Sequence, residues 1–169
     1  TERSSNLSLA FRSSPYGAGS HTLADQNCFK LFYKGEPVYI SAGYYQNFSD
    51  KHNLLQYRHT RGHNTMMVNN IGQPFTTMAY GNVERGLNGG NLAYFMGDAS
   101  HAYCGVSDYW QKSFADAGIS QTPEYGFGET PLNNYKRHIF MLRPNKIVIY
   151  DDLGADEPAT WQWLLHSPV

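Results

Sequence analysis

The sequence predicts an all-β domain built as a sandwich of antiparallel sheets. Short apolar segments alternate with turn residues along most of the 169-residue chain, which is the pattern of a sandwich or roll. Aromatic residues make up 15% of the chain and charged residues 16%, and 16 glycines and 8 prolines are available for turns. Because helical patterns are scarce, few helical residues are expected. The length suits a single domain over residues 1–169.

The first predicted elements form a hairpin. Residues 28–33 (CFKLFY) and 37–41 (PVYIS) are rich in strand-forming residues and flank the turn residues 34–36 (KGE). Residues 64–70 (NTMMVNN) form the next predicted strand, because the turn signal IGQP follows at residues 71–74.

The remaining predicted strands follow the same pattern of apolar runs between turns. They cover residues 76–84, 92–100, 135–143, 146–153 and 160–166, with a Gly- and Asn-rich loop at 86–91 and a turn at 143–145. A short helix is possible at residues 108–118, where Trp110 and Phe114 lie four residues apart. Residues 119–134 read as a long loop, and long loops in compact domains are often functional.

The charge balance excludes several classes of partner. Lys and Arg number 13 against 14 Asp and Glu, a formal charge of −1, so a nucleic-acid or anionic-membrane binder is not expected. No apolar run approaches 18 residues, so no membrane span is expected. The two cysteines, Cys28 and Cys104, lie in no CxxC pair and are expected to be free thiols, although one disulfide is possible.

The two ends of the chain suggest that it is a piece of a longer protein. It begins at Thr1 without a methionine and stops soon after a strand-like segment at 160–166. The lack of a signal peptide therefore says nothing about secretion.

Polar residues are concentrated just before the first predicted strand. In residues 20–27 (SHTLADQN), His21 and Asp25 are placed to face a site. The alternative is that Asp25 and Asn27 only bond turn backbone, as these residue types often do. Three aspartates further along, Asp98, Asp151 and Asp152, are expected to be strand-end or structural carboxylates.

The densest cluster of functional groups is at residues 56–64 (QYRHTRGHN). It holds Tyr57, Arg58, Arg61 and His63 ahead of a strand. Arginine forms bidentate hydrogen bonds with carboxylate or sulfate, so such a cluster suits a polyanionic sugar. A merely solvated loop is the alternative.

The order of these segments resembles a known family. The segments SHTLADQNCFKLFYKGEPVYISAGYY, RGHNTMMVNNIGQ, KRHIFMLRPNKIVIYDDL and WQWLLHS follow one another as in the C-terminal β-sandwich of heparinase II/III-like polysaccharide lyases. The resemblance spans about residues 12–166, and it rests on the order and spacing of several weak motifs. Full members resemble an α/α toroid followed by β-sandwich modules, so an N-terminal toroid would be missing here.

The resemblance implies β-elimination on an acidic, uronate-containing polysaccharide such as a glycosaminoglycan or alginate. His21 occupies the position of the catalytic histidine that the sandwich contributes. Tyr57, Arg58, Arg61 and His63 would contact the substrate. The other catalytic groups belong to the toroid, so the isolated chain is expected to be inactive. The resemblance also implies a periplasmic or secreted protein.

The family often carries zinc in this sandwich, but the implied ligand set is incomplete here. Its three positions fall on Leu23, Ser41 and His63. Zinc needs three or four N, O or S ligands. Nothing in the spacing of His52 or His59 indicates a replacement, so we expect no cofactor and no metal.

Two other functions are compatible with the same pattern. A non-catalytic β-sandwich would bind carbohydrate or act as a spacer, and the sequence upstream would distinguish it from a lyase. A cupin-like metal enzyme is a weaker alternative, because its set of histidines and a carboxylate on neighbouring strands is not evident.

Overall fold

Two four-stranded antiparallel sheets form the main body of the protein, and they confirm the predicted sandwich. The computed structural model describes residues 2–4, 6–44 and 47–168. The first sheet contains β1 (Glu2–Ser4), β2 (Leu7–Arg12), β3 (Cys28–Tyr33) and β4 (Glu36–Tyr39) in that order. The second has the order β11-β10-β7-β6 and is built from β6 (Asn82–Asn88), β7 (Leu92–Asp98), β10 (Leu132–Leu142) and β11 (Lys146–Ala155).

Two short strand pairs and one short helix complete the fold. The pairs join β5 (Met66–Val68) to β12 (Trp161–Trp163), and β8 (Cys104–Gly105) to β9 (Gly128–Glu129). The α-helix α1 (Gln111–Asp116) follows a 3₁₀ turn at Asp108–Trp110. Further short turns of helix lie at Asn53–Tyr57, Thr60–Gly62 and Pro123–Tyr125. None of the helices that the structure describes could span a membrane.

The core between the sheets is built from alternate residues of the strands. In β10, Arg137, Ile139 and Met141 are buried, whereas the residues between them are only partly buried. Ile139 packs with Leu9 of β2 and Phe29 of β3, which joins the two sheets face to face. The two-residue period of a strand explains this alternation.

A second core lies outside the sandwich and is made by the connecting segments. It contains Ala18, Ala24, Leu54, Phe75, Trp110, Phe114, Ile119 and Phe127. Because these residues come from four stretches that are far apart in the sequence, 18–24, 54, 75 and 110–127, the core ties these connecting segments together. The candidate site is built on it.

Several predicted boundaries are wrong. Residues 76–81 do not form the start of a strand, because their backbone bonds another loop: Thr77 O accepts from Gly17 N at 3.0 Å, and Gly81 N donates to Ser14 O at 2.7 Å. The predicted loop at 119–134 contains β9 and the first residues of β10. Strands β1 and β2 were missed.

Candidate functional site

His21 lies on a tight turn at the edge of the loop core. Its side chain is exposed, and Ser20 before it has a φ of 49°, in the left-handed region. The Thr22 hydroxyl fixes the turn, since it accepts from Gly19 N at 2.6 Å and donates to Gly17 O at 3.0 Å. The imidazole packs edge-on against Phe48, with 5.2 Å between ring centroids. The turn therefore presents His21 to solvent in a defined position.

Arg58 holds this turn from inside the protein. Its side chain is fully buried. Nη1 donates to Thr22 O at 2.8 Å and Nη2 donates to Ser20 O, so the guanidinium bonds the carbonyl groups on both sides of His21. The same guanidinium carbon lies 4.5 Å from the Trp110 ring centroid and 4.8 Å from that of Phe48. Contrary to the expectation from sequence, Arg58 lies too deep to contact a ligand at the surface, and it is placed to position His21.

Tyr57 and Arg61 line two neighbouring hollows on the surface. Tyr57 lines a hollow of about 490 Å³ together with Tyr44, Asn47, Asp50 and His52. Arg61 lines a second hollow of about 390 Å³ with Lys51, His52, Leu55 and Gln56. Because both hollows include His52, they adjoin each other. Arg61 is half-buried and donates from Nη2 to Tyr125 O at 2.9 Å. Both residues are partly exposed, and their contact with substrate stays a prediction.

His63 is buried and does not reach the surface. Its Nδ1 lies 3.0 Å from Ser41 Oγ. Burial lowers the pKa of His63 to about 4, so the ring is neutral at pH 7. The expected contact between His63 and substrate is therefore not met in this structure, because no part of the side chain is exposed.

The zinc set implied by the resemblance does not fit the residues that are present. Leu23 has no donor atom, and the Ser41 hydroxyl is engaged by His63. A different trio, Asp25, Cys28 and His63, lies with its potential ligand atoms within 4.8 Å of one another. However, Arg12 pairs with the Asp25 carboxylate, and burial raises the pKa of the Cys28 thiol to about 12. Zinc binding at this trio would therefore have to displace both Arg12 and the thiol proton.

His59 is buried and engaged by backbone groups. Its Nδ1 accepts from Arg61 N at 3.1 Å, and its Nε2 lies 3.0 Å from Gly126 O. Both ring nitrogens are therefore engaged by backbone groups. Burial lowers the pKa of His59 to about 3, so it is a neutral histidine that joins two loops.

Sequence reasoning missed a cleft that adjoins the His21 turn. The cleft has a volume of about 550 Å³ and is lined by Tyr16, Gly17, Gly19, Ser20, Thr22, Phe75, Thr76, Thr77, Ser107, Tyr109 and Trp110. These residues come from three separate segments, 16–22, 75–77 and 107–110, which only the loop core brings together. The only signal in the sequence was the pair of neighbouring aromatic residues at 109–110.

Arg137 is a second structural group that the sequence did not reveal. Its fully buried guanidinium forms a bidentate ion pair with Asp151: Nε donates to Oδ1 at 2.7 Å, and Nη2 donates to Oδ2 at 2.8 Å. Nη1 donates to Asn27 O at 2.7 Å and to Asn64 O at 2.8 Å. It thereby joins β10 and β11 to the segments that lead into β3 and β5. The structural role expected for Asp151 is confirmed.

Comparison with known proteins supports the resemblance. A family model described as heparinase II/III-like, C-terminal, matches residues 2–169. The fold is similar to heparan sulfate lyase HepC from Pedobacter heparinus, with a TM-score of 0.63 and 19% identity over 94% of this chain and 21% of that one. It is also similar to the heparinase III BT4657 gene product, with a TM-score of 0.65 and 15% identity over 95% of this chain and 21% of that one. At such identities the likeness shows the fold alone.

The chain spans about a fifth of the length of these solved structures. No curated protein sequence matches it significantly. The family match, however, covers nearly every residue. The chain therefore belongs to the heparinase II/III-like C-terminal family.

Proposed function

We propose that this chain is the β-sandwich part of a polysaccharide lyase that cleaves uronate-containing polysaccharide by β-elimination. The observation that carries the proposal is an exposed His21 on a turn that the buried Arg58 fixes from below, in a chain of the heparinase II/III-like C-terminal family. The buried Arg58 guanidinium fixes this exposed turn. This indicates that the position of His21 on the turn is important for function.

The chemistry has three requirements. The uronate carboxylate must be neutralised, so that the C5 proton becomes acidic. A base removes that proton, the released electron pair forms the C4–C5 double bond, and the C4–O bond breaks. An acid then protonates the leaving oxygen. Imidazole exchanges protons near neutral pH, so His21 can donate to the carboxylate or assist proton transfer.

The other expected contacts divide between the surface and the interior. Arg61 is accessible in a hollow with Lys51, and a guanidinium suits a carboxylate or sulfate. Tyr57 lines the adjoining hollow and would contact the same sugar chain. Arg58 and His63 are buried and would not contact the sugar directly; Arg58 would position His21.

We further propose that the parent protein holds the remaining catalytic groups in an N-terminal α/α toroid. The solved structures with this fold are between four and five times as long as the chain, which leaves room for such a domain. This chain alone would therefore not turn over substrate. In the proposed setting the parent is periplasmic or secreted, where polysaccharides are encountered.

The test is the absorbance of unsaturated uronate near 235 nm. The longer protein is assayed against a panel of acidic polysaccharides, and His21→Ala is expected to lower kcat by about a hundredfold or more without changing Tm. His101→Ala is the matched control, because His101 is also exposed and packs on one aromatic ring, that of Tyr80, at 5.0 Å.

Two results would reject the proposal. If no polysaccharide is cleaved but one is bound, the sandwich is a carbohydrate-binding module, which is the alternative function. If His21→Ala melts early yet cleaves at the parent rate, His21 only stabilises the turn.

A further inference from the structure

The outer face of the second sheet carries an exposed apolar patch. The strand register across β6, β7, β10 and β11 places in one row Leu87, Tyr94, Phe140 and Val148. The next row across the same strands holds Arg85, Met96, His138 and Tyr150. Tyr150 is 59% exposed, Leu87 is 56% exposed and Val148 is 49% exposed. A contiguous apolar patch on the face of a sheet indicates a surface that another layer covers.

The two rows lie on the face that points away from the core. In β10, Ile139 is buried between the sheets, so its neighbours His138 and Phe140 lie on the opposite side. Tyr94 stacks on Phe140 with 4.7 Å between ring centroids, and the Tyr94 hydroxyl lies 2.8 Å from His138 Nδ1. These contacts order the rings, so the patch is ready for a partner without rearrangement.

The outward side chains of β11 complement themselves in charge. In order along the strand they are Lys146, Val148, Tyr150 and Asp152, and all four are exposed. A cation and an anion therefore flank two apolar side chains. In the described part of the chain neither Lys146 nor Asp152 forms an ion pair, because Lys136, the cross-strand neighbour of Asp152, pairs with Asp98 at 3.8 Å.

This order of charges suits a second copy of the same protein. A two-fold axis that runs across the strands, between Val148 and Tyr150, turns a second sheet over the first with its strands antiparallel. Lys146 of each copy then lies opposite Asp152 of the other, so the pair forms twice. The apolar rows meet between the two pairs. Sliding the second copy along the strands would break both ion pairs, so the charges fix the register.

We propose that the outer face of β6, β7, β10 and β11 is a homodimer interface, in which two copies stack sheet on sheet with β11 over β11. The apolar rows supply most of the affinity, and the two pairs between Lys146 and Asp152 set the orientation. This inference does not depend on the proposed lyase function. The residues that line the cleft and the two hollows near His21 lie outside these four strands, so the interface does not use them.

Sedimentation equilibrium of this chain tests the interface directly. Over a range from about 5 to about 500 μM, the measured mass should rise from that of one chain to twice that mass. Tyr150→Glu places a charge in the centre of the patch and should weaken the dimer by about a hundredfold or more. The matched control is Tyr33→Glu, because Tyr33 is 46% exposed and ends β3 in the other sheet. This control should dimerise as the parent does.

Charge reversal tests the orientation. Lys146→Glu and Asp152→Lys each set like charges opposite one another at two places, so each should weaken the dimer by about tenfold. The double variant Lys146→Glu, Asp152→Lys restores both pairs with the signs exchanged and should dimerise as the parent does. All these positions are exposed, so the variants should fold normally. Lys112→Glu is the matched control, because it reverses an exposed charge on α1.

Three results would overturn the inference. A chain that stays monomeric up to about 500 μM has no such interface, and the patch would then be left for another part of the longer protein. A dimer that Tyr150→Glu does not weaken uses a different surface. A double charge variant that dimerises no better than the single variants excludes the orientation. The lyase assay on the longer protein is independent of all three results.

Discussion

Replacing Arg58 by methionine tests how the His21 turn is held. Methionine keeps much of the apolar contact with Trp110 and Phe48 but removes the charge and both bonds to the turn carbonyls. The guanidinium is fully buried, so the loss is not screened by solvent. The expected effects are a less stable protein and a looser turn.

The magnitude follows from the contacts that are lost. Two hydrogen bonds from a charged donor contribute about 3 kcal/mol together once water has returned to the freed carbonyls. Cation–π contacts in a desolvated site add about 2 kcal/mol. Removing a buried charge recovers part of its desolvation cost, so the free energy of unfolding should fall by about 3 kcal/mol. For a chain of this size, that corresponds to a Tm lower by about 6–12 °C.

Urea unfolding followed by tryptophan fluorescence measures this loss. Arg61→Met is the matched control, because Arg61 is half-buried and donates one bond to Tyr125 O, so its loss should cost about 1 kcal/mol or less. Amide hydrogen exchange at residues 19–23 should accelerate in Arg58→Met and stay unchanged in the control. A loss below about 1 kcal/mol, or one no larger than the control shows, would refute the positioning role of Arg58.

Three further predictions concern metal, pH and thiols. Protein purified without added metal should hold no stoichiometric zinc by elemental analysis. The double variant Leu23→His, Ser41→Asp should bind zinc, because it restores the two missing donor groups. Stoichiometric zinc in the unsubstituted protein would contradict the prediction. Burial lowers the pKa of His63 to about 4, so the unfolded chain binds more protons below about pH 6.5. The contribution of His63 to the free energy of unfolding is complete above that pH and falls toward pH 4 by at most about 1.4 kcal/mol per unit. His63→Gln should reduce the slope of this free energy from urea melts between pH 7 and 5, and the remaining slope comes from His59, whose pKa burial lowers to about 3. An unchanged slope speaks against this prediction. At pH 8 a colorimetric thiol reagent should modify the exposed Cys104 quickly and leave the buried Cys28, whose thiol pKa is raised to about 12, unmodified until the chain unfolds; two fast thiols would contradict this.

The strand pattern of the sandwich could be predicted because it is a local property. Residues 28–33 coincide with β3, and 146–153 lie within β11, since their apolar and aromatic residues are bounded by turn residues. Residues 76–84 misled the same reasoning, because their backbone groups bond the loop at Ser14 and Gly17 instead of a strand. Hydrogen bonding to a distant loop leaves no trace in local composition.

The candidate site, like the fold, could be predicted from the sequence only in part. The sequence singles out His21 as a candidate through its place before an apolar strand and the family resemblance, and the structure shows that its side chain is exposed. Its catalytic role stays a prediction. The cleft at Tyr109 could not, because its lining comes from segments that meet only around Trp110 and Phe75 in the loop core.

The sequence by itself determined the sandwich and the family, because strand alternation and motif order are local features of the chain. Only the tertiary structure decided which basic residues face solvent. Arg58 and Arg61 lie three residues apart in one polar cluster, yet Arg58 is fully buried and Arg61 is half-buried. The difference arises because aromatic rings and free carbonyl oxygens from distant segments surround Arg58 and offset the cost of burying its charge. Arg137 is buried within β10 for the same reason, since Asp151 and two backbone carbonyls, at Asn27 and Asn64, satisfy its guanidinium.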